Sequence, residues 1–376
     1  MEIGIVGKTN VGKSSFFKAA TMIDVEISDG TFVTIKPNVG VGYVTAPCPH
    51  RELNVKCSPK NSLCINETRL IPVKLLDVAG LVPGAHEGRG LGNQFLNDLV
   101  PADILIHVVD ISGTTDSEGN PTTNYDPAND IEFLMKEIDL WFESIIKRNL
   151  EKIKDEKKAA EILAGLGIKE KHVNEGINKV GHNPIKLAKE LRRLSKPMII
   201  AANKIDLHSS QENFEKIKRR FPDLTMLPCS AEAEIVLKMA SKSGLIEYLP
   251  GESDFKIKGN INPQQKKALE LIRERILRRY GSTGVQKCLN TAVFDFLNYI
   301  AVYPVENENR FSDKKGNVLP DVHLMPAGST ALDLAYKIHT DIGKHFIGAI
   351  DARTKKRMAA DHKLKQNDII SIQTSK

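Results

Sequence analysis

The sequence predicts an α/β fold with a parallel-dominated sheet, carrying a helical insertion and followed by a small α+β module. Three observations point there. Met1–Val6 reads as a buried strand, Gly7–Gly12 as a glycine-bounded turn and Lys13–Thr21 as a helix, a strand–loop–helix opening. Short apolar runs then recur between helical stretches. From about Tyr303 the texture changes to short strands and turns.

In chain order, the further strands expected are Val41–Ala46, Val73–Leu76, Ile104–Val109, Met198–Ala202 and Thr225–Pro228. Ile131, Leu134, Ile138, Trp141 and Ile145 recur at helical spacing, so an amphipathic helix follows the polar loop Ser112–Asn129. The length and turn-rich composition of that loop make it a candidate for mobility or partner contact. Residues 147–197 are Lys- and Glu-rich, with breaks around Gly165–Gly167 and Gly181–Pro184, and read as the helical insertion. A helical stretch is expected over roughly 208–300. In the C-terminal part, Val322–Met325, Ala331–His339, Phe346–Asp351 and Ile369–Gln373 read as β, α, β and β, with Thr330 as N-cap. The expected division is 1–260, 261–302 as a helical connector, and 303–376.

At 376 residues and 41% hydrophobic, the chain can bury a full core. No apolar run reaches membrane-span length and the N-terminus lacks signal-peptide character, so no membrane partner is expected and the cytoplasm is the default location. Five cysteines point to reduced thiols or a metal site rather than a disulfide scaffold. Net charge is +6, but 256–287 carries nine Lys/Arg against two Glu. That stretch faces phosphates or forms a solvated helical face; both readings stay open.

Gly7-Lys8-Thr9-Asn10-Val11-Gly12-Lys13-Ser14 matches G-x-x-x-x-G-K-[ST] between a strand and a helix, the context its chemistry requires, and defines a P-loop NTPase domain. Backbone amides and the helix N-terminus, with Ser15 in its first turn, would cradle phosphates. Lys13 would reach the β/γ-phosphates and the Ser14 hydroxyl would ligate Mg²⁺. Asp77-Val78-Ala79-Gly80 ends an apolar strand, placing a carboxylate on the Mg²⁺ side and the Gly80 amide toward the γ-phosphate.

Asn203-Lys204-Ile205-Asp206 follows another apolar strand. Asp206 can accept from guanine N1–H and N2–H₂ while the Lys204 stem covers the ring, and adenine offers no such pair of donors. Ser230-Ala231-Glu232 reads as an accessory guanine loop, with the Ala231 amide meeting O6. Each element alone is weak, but the four in this order predict binding of GTP and GDP and hydrolysis of GTP.

These residues resemble the Obg superfamily of GTPases, in particular its YchF-like archaeal branch. The resemblance spans nearly the whole chain. Besides Gly7–Ser14 and the Asn-Lys-Ile-Asp element, it rests on Phe32-Val33-Thr34-Ile35-Lys36-Pro37-Asn38-Val39-Gly40 and on Asp77–Gly92. The last eighty or so residues resemble a TGS domain, a β-grasp-like module. The resemblance implies association with ribosomes or RNA, with the basic helices and the TGS module as the docking surfaces; the basic turn Asp351–Asp361, with Arg353, Lys355, Lys356 and Arg357, is either an RNA-contact surface or merely solvated. It also implies an F-T-T-I-x-P-N switch threonine. Here Val33 replaces the first threonine, which makes Thr34 the candidate Mg²⁺ ligand and leaves Thr31 as the alternative.

Lys13, Thr34 and Gly80 are the candidate catalytic groups. Leu81 stands where many GTPases place a water-orienting Gln, so slow intrinsic turnover is expected, with help from the 84–92 segment, a monovalent cation or a partner. His86 is either a supplementary group or a surface residue. Asn10 occupies the position that coordinates K⁺ in potassium-stimulated relatives, or bonds only within its loop. An ATPase is the competing enzyme reading and a nucleotide-gated docking module the competing binding one. Finally, Cys48, His50, Cys57 and Cys64 give C-x-H-x₆-C-x₆-C within one excursion between strands, a ligand set for structural Zn²⁺ at a non-standard spacing; His50 as a plain surface residue is the alternative.

Overall fold

The computed structural model describes residues 1–22, 38–80 and 92–375. Thr31, Thr34, Leu81, His86 and the 84–91 segment lie outside them. Two compact units emerge: residues 1–22, 38–42 and the described part of 73–292 in one, and 43–72 with 293–375 in the other.

The larger sheet contains β1 (Glu2–Val6), β2 (Val39–Pro47), β3 (Leu63–Ile65), β4 (Thr68–Asp77), β5 (Ile104–Asp110), β6 (Met198–Asn203) and β7 (Thr225–Pro228), in the order β2-β4-β1-β5-β6-β7 with β3 on β4. The pairs β4/β1, β1/β5, β5/β6 and β6/β7 are parallel, and β3/β4 forms an antiparallel hairpin. Every residue of β5 and β6 is buried, as expected of central parallel strands covered on both faces. In such a sheet the ligand crevice lies beyond the carboxyl ends of the strands. Val6, Asp77, Asp110, Asn203 and Pro228 occupy those ends.

Helix α1 (Lys13–Thr21) starts where the phosphate-loop pattern ends; α2 (His50–Leu53) and α3 (Gly92–Leu99) follow. In α4 (Ala128–Arg148), Ile131, Leu134, Ile138 and Trp141 face the core. The insertion is a set of helices at Leu150–Ile153, Glu156–Ala164, Glu170–Val180 and Pro184–Ser195, with Asn183 capping the last through a bond from the Lys186 amide.

Three expectations need correction. The 208–300 stretch is not continuously helical: it contains a two-stranded ribbon, β8 (Ile246–Glu247) and β9 (Lys256–Ile257), and two π-helical segments, Arg273–Leu277 and Thr291–Phe296. The C-terminal module opens earlier than Tyr303, with β10 (Tyr299–Val305), whose aromatic and β-branched residues suit a strand. Its sheet runs β11 (His323–Pro326), β10, β14 (Ile369–Thr374), β12 (Phe346–Asp351), β13 (Arg357–Met358), with β10/β14 parallel and the other pairs antiparallel. The helix Ala331–Ile338, closed at its start by a Thr330/Asp333 capping box, packs Ala331 and Leu334 into that module's core. The third correction concerns the Ser112–Asn129 loop, which is tethered at the nucleotide loop.

No described helix is long and apolar enough to cross a membrane.

Candidate nucleotide site

A cavity of about 710 Å³ opens over the strand ends, lined by Lys8, Thr9, Asn10, Gly12, Lys13, Ser14, Ser15, Gly80, Asn203, Lys204, Asp206, Leu207, Ser230 and Glu232. All four sequence elements therefore meet at one place. Gly7, Val11, Asp77 and Ala231 do not line it.

The phosphate loop takes its shape from glycine. Gly12 has φ 90°, and a Cβ there would stand 2.3 Å from the Asn203 amide nitrogen. That nitrogen donates to the Val11 carbonyl (2.9 Å), while Asn203 Oδ1 accepts the Ala231 amide (3.0 Å). One side chain thus ties three elements together. It also changes the expectation for Ala231: its amide, an otherwise orphan donor at the start of the helix Ala231–Lys242, is given to Asn203 rather than to the cavity.

Lys13 Nζ pairs with the Asp77 carboxylate and donates to the Val78 carbonyl (2.8 Å), bringing the two charged groups of the phosphate and metal elements together. The Ser14 side chain is exposed to the cavity. Ser15 Oγ donates to Glu232 (2.5 Å). Lys204, at φ 60°, runs its stem along the cavity to Asp110 (2.8 Å).

Asp110 is one of the residues sequence reasoning missed. It is the register partner of Asn203 and is buried. Burial works against its charge, but hydrogen bonds from Lys204 and Ser112 prevail and hold its carboxyl below the usual range. Thr114 and Thr115 hydroxyls add bonds of 2.9 and 3.0 Å. The signal was available: an Asp at the end of an apolar strand followed by a run of hydroxyl residues.

From this anchor the 112–127 loop reaches the phosphate loop. Glu118 and Gly119 carbonyls accept from Thr9 Oγ1 (2.9 Å) and the Asn10 side-chain amide (2.8 Å). Lys8 turns into a buried nest, donating to the Thr115 carbonyl (3.1 Å), pairing with Asp130 (2.8 Å) and lying 4.1 Å from the Tyr125 ring centre. Asp206 also faces a second cavity of about 400 Å³, shared with His208, Gln211, Arg275 and Arg279.

In the other unit, the Sγ atoms of Cys48, Cys57 and Cys64 and a ring nitrogen of His50 all lie within 4.8 Å of one another, so the cluster could hold a metal ion. Hydrogen bonding from Cys64 prevails over burial to push Cys48 down to about 4, and the same bond drives Cys64 upward.

Comparison with known proteins agrees with this geometry. Residues 2–163 match the family described as 50S ribosome-binding GTPase, 201–307 the G4 motif-containing domain of the Obg-like GTPase YGR210-like group, and 311–374 the TGS domain. An uncharacterized GTP-binding protein of Methanocaldococcus jannaschii is 52% identical over 98% of both chains. The ribosome-binding ATPase YchF of Bacillus subtilis is 32% identical over 66% of this chain and 68% of its own. The crystal structure of a GTP-binding protein from Pyrococcus horikoshii superposes with a TM-score of 0.79 at 41% identity, covering all of both chains.

Proposed function

The chain belongs to the Obg-like, YchF-like P-loop GTPases with a C-terminal TGS domain, and from that premise we propose that it is a Mg²⁺-dependent, guanine-selective switch that hydrolyses GTP slowly. The observation that carries the reading is the convergence of phosphate loop, Gly80, Asn203–Asp206 and Ser230–Glu232 on one cavity.

The donor set fits the metal. Ser14 and Asp77 offer the oxygen ligands Mg²⁺ prefers, Thr34 would complete them, and the ion would neutralise phosphate charge. Lys13 and the amides of the phosphate loop hold the phosphates, and Gly80 meets the terminal one. Asp206 selects guanine, and the Lys204 stem covers the base. With Leu81 unable to orient a water, turnover rests on positioning. Asn10 donates its amide to Gly119, which turns its Oδ1 into the group left for K⁺. Equal rates in matched K⁺ and Na⁺ buffers would remove that part.

In this reading residues 1–260 carry the nucleotide work, 261–298 connect, and the module that opens with β10 at Tyr299 docks. Ribosome or RNA association is drawn from relatives named ribosome-binding and from the basic stretch. Within it, Lys256, Lys266, Lys267, Arg275, Arg279 and Lys287 are exposed and have no carboxylate partner among the described residues. The Cys48–His50–Cys57–Cys64 cluster is read as a structural Zn²⁺ site, apart from the nucleotide chemistry.

The deciding measurement is Mg²⁺-dependent affinity of nucleotide-free protein for GDP and GTP against ADP and ATP, for wild type and Asp206→Asn. Guanine preference that disappears in the variant is expected. Equal adenine binding by the wild type would make the chain an ATPase.

A further inference from the structure

The excursion between β2 and β4 has an unusual economy. No residue from Arg51 to Asn61 is buried, and residues 54–62 lack regular structure, so this segment has no core of its own to fix it. Yet it presents a well-defined edge. The Ser58 amide donates to the Val318 carbonyl (2.8 Å) and the Lys60 amide to the Pro320 carbonyl (2.7 Å), a parallel-like register in steps of two. Asn61 exchanges two bonds with the Val322 backbone (2.9 and 3.0 Å), and Lys60 pairs with Asp313 (2.9 Å). A loop without a core does not hold a register against another segment unless something fixes its ends.

The four ligand atoms sit where such a constraint is needed. Cys48 and His50 precede the loop, Cys57 immediately precedes Ser58, and Cys64 lies on β3 just beyond it. A second observation points to an anionic centre beside them. Arg69 is 0% exposed, and no carboxylate among the described residues pairs with it. Its partners are neutral: Ser62 Oγ (3.1 Å), the Leu319 carbonyl (2.8 Å) and the Tyr303 ring (5.2 Å), while its Nε has no partner. A buried guanidinium without a counter-charge is costly. Zn²⁺ held by three thiolates and one imidazole carries a net charge of about −1, the sign Arg69 requires, and Arg69 on β4 is the cross-strand register partner of Cys64 on β3.

We propose that one Zn²⁺ on Cys48, His50, Cys57 and Cys64 is the fastener that seats the 54–62 loop along residues 318–322, making this attachment of the TGS segment zinc-dependent. The inference rests on the zinc reading of the cluster and adds what the ion does. Binding deprotonates the thiols still protonated, releases those protons to solvent, and involves no redox change.

The test is metal analysis of the full-length protein together with hydrogen exchange before and after zinc removal. Wild type is expected to hold about one zinc per chain, as four ligands in one cluster provide. Cys57→Ser and Cys64→Ser are expected to lose it. In wild type stripped with a thiol-reactive mercurial and chelator, then freed of the mercurial by thiol, the Ser58, Lys60 and Val322 amides should exchange at least about tenfold faster, recovering when zinc is returned. Because this arm uses unmutated protein, a variant that fails to fold does not obscure the result. Absence of zinc, or a disulfide between two of the three thiols, would overturn the zinc reading and the fastener with it. Stoichiometric zinc whose removal leaves those amides protected would leave the metal site standing and overturn the fastener.

Discussion

Asn203 joins the nucleotide loops through two buried bonds, to Val11 and from Ala231, whereas Asp206 lines the cavity. The two residues of one short element therefore have separable roles. Asn203→Ala strands a carbonyl and an amide and is expected to cost about 1–3 kcal/mol, lowering GDP affinity or stability while leaving guanine preference intact. Asp206→Asn should keep stability but lower GDP affinity toward that for ADP, abolishing the preference, and parallel GDP and ADP titrations of the two variants separate them. His107 gives a second prediction. Its imidazole is 1% exposed on β5, and burial, with the Lys8 charge second, pushes its pKa down to about 3. The unfolded chain takes that proton near pH 6.5. Between those values the unfolded state holds the extra proton, so stability must fall as pH falls, by up to about 1.4 kcal/mol per pH unit. Urea midpoints from pH 7 to pH 4 should show that slope reduced in His107→Leu. At this scale the motif residues were legible because their chemistry is local. The assignment of the Ala231 amide was not, because it depends on a side chain 28 positions away.

The 112–127 loop shows why elements are harder to read than motifs. Its polar, turn-rich composition resembles that of a free loop, and nothing in its own sequence records that Glu118 and Gly119 offer carbonyls to Thr9 and Asn10. What holds it is partly one glycine. Gly119 has φ 88°, and a Cβ there would lie 2.2 Å from Thr9 Oγ1. Gly119→Ala is expected to destabilise the chain by roughly 1–3 kcal/mol, read as a lowered melting temperature. The second holding point is Lys8 with Asp130, whose side chains are 6% and 8% exposed. Asp130→Ala leaves a buried ammonium unpaired and should cost about 3–5 kcal/mol in denaturant unfolding, most of it recovered in the Lys8→Met/Asp130→Leu double variant. By contrast, β1, β5, β6 and α4 were plain in the sequence, since unbroken apolar runs and 3.6-residue periodicity reflect burial directly. The β8/β9 ribbon and the three-residue β3 are too short to carry a period.

At the scale of the whole chain, residues 43–72 group with 293–375, although more than two hundred residues separate them in sequence. Composition cannot reveal this, because the links are scattered polar contacts, among them Lys60 to Asp313, Asn61 to Val322, Arg69 to Leu319 and Glu52 to Arg353. They make the C-terminal segment something other than a detachable appendage. A chain ending at residue 292 would keep every residue that lines the nucleotide cavity, since these run from Lys8 to Glu232. If the two parts act independently, their changes add to within about 0.3–0.5 kcal/mol, so GDP affinity of the shortened chain should stay within roughly a factor of two. The 43–72 excursion should fare differently. It loses the acceptors of Ser58 and Lys60, and Arg69 loses both the Leu319 carbonyl and the Tyr303 ring. Proteolysis within 54–62 and alkylation of Cys57 should therefore accelerate in the shortened chain while GDP titration is unchanged. If GDP affinity fell in step with that exposure, the residues beyond 292 would be supporting the nucleotide cavity itself, and docking and nucleotide binding could no longer be assigned to separate parts of the chain.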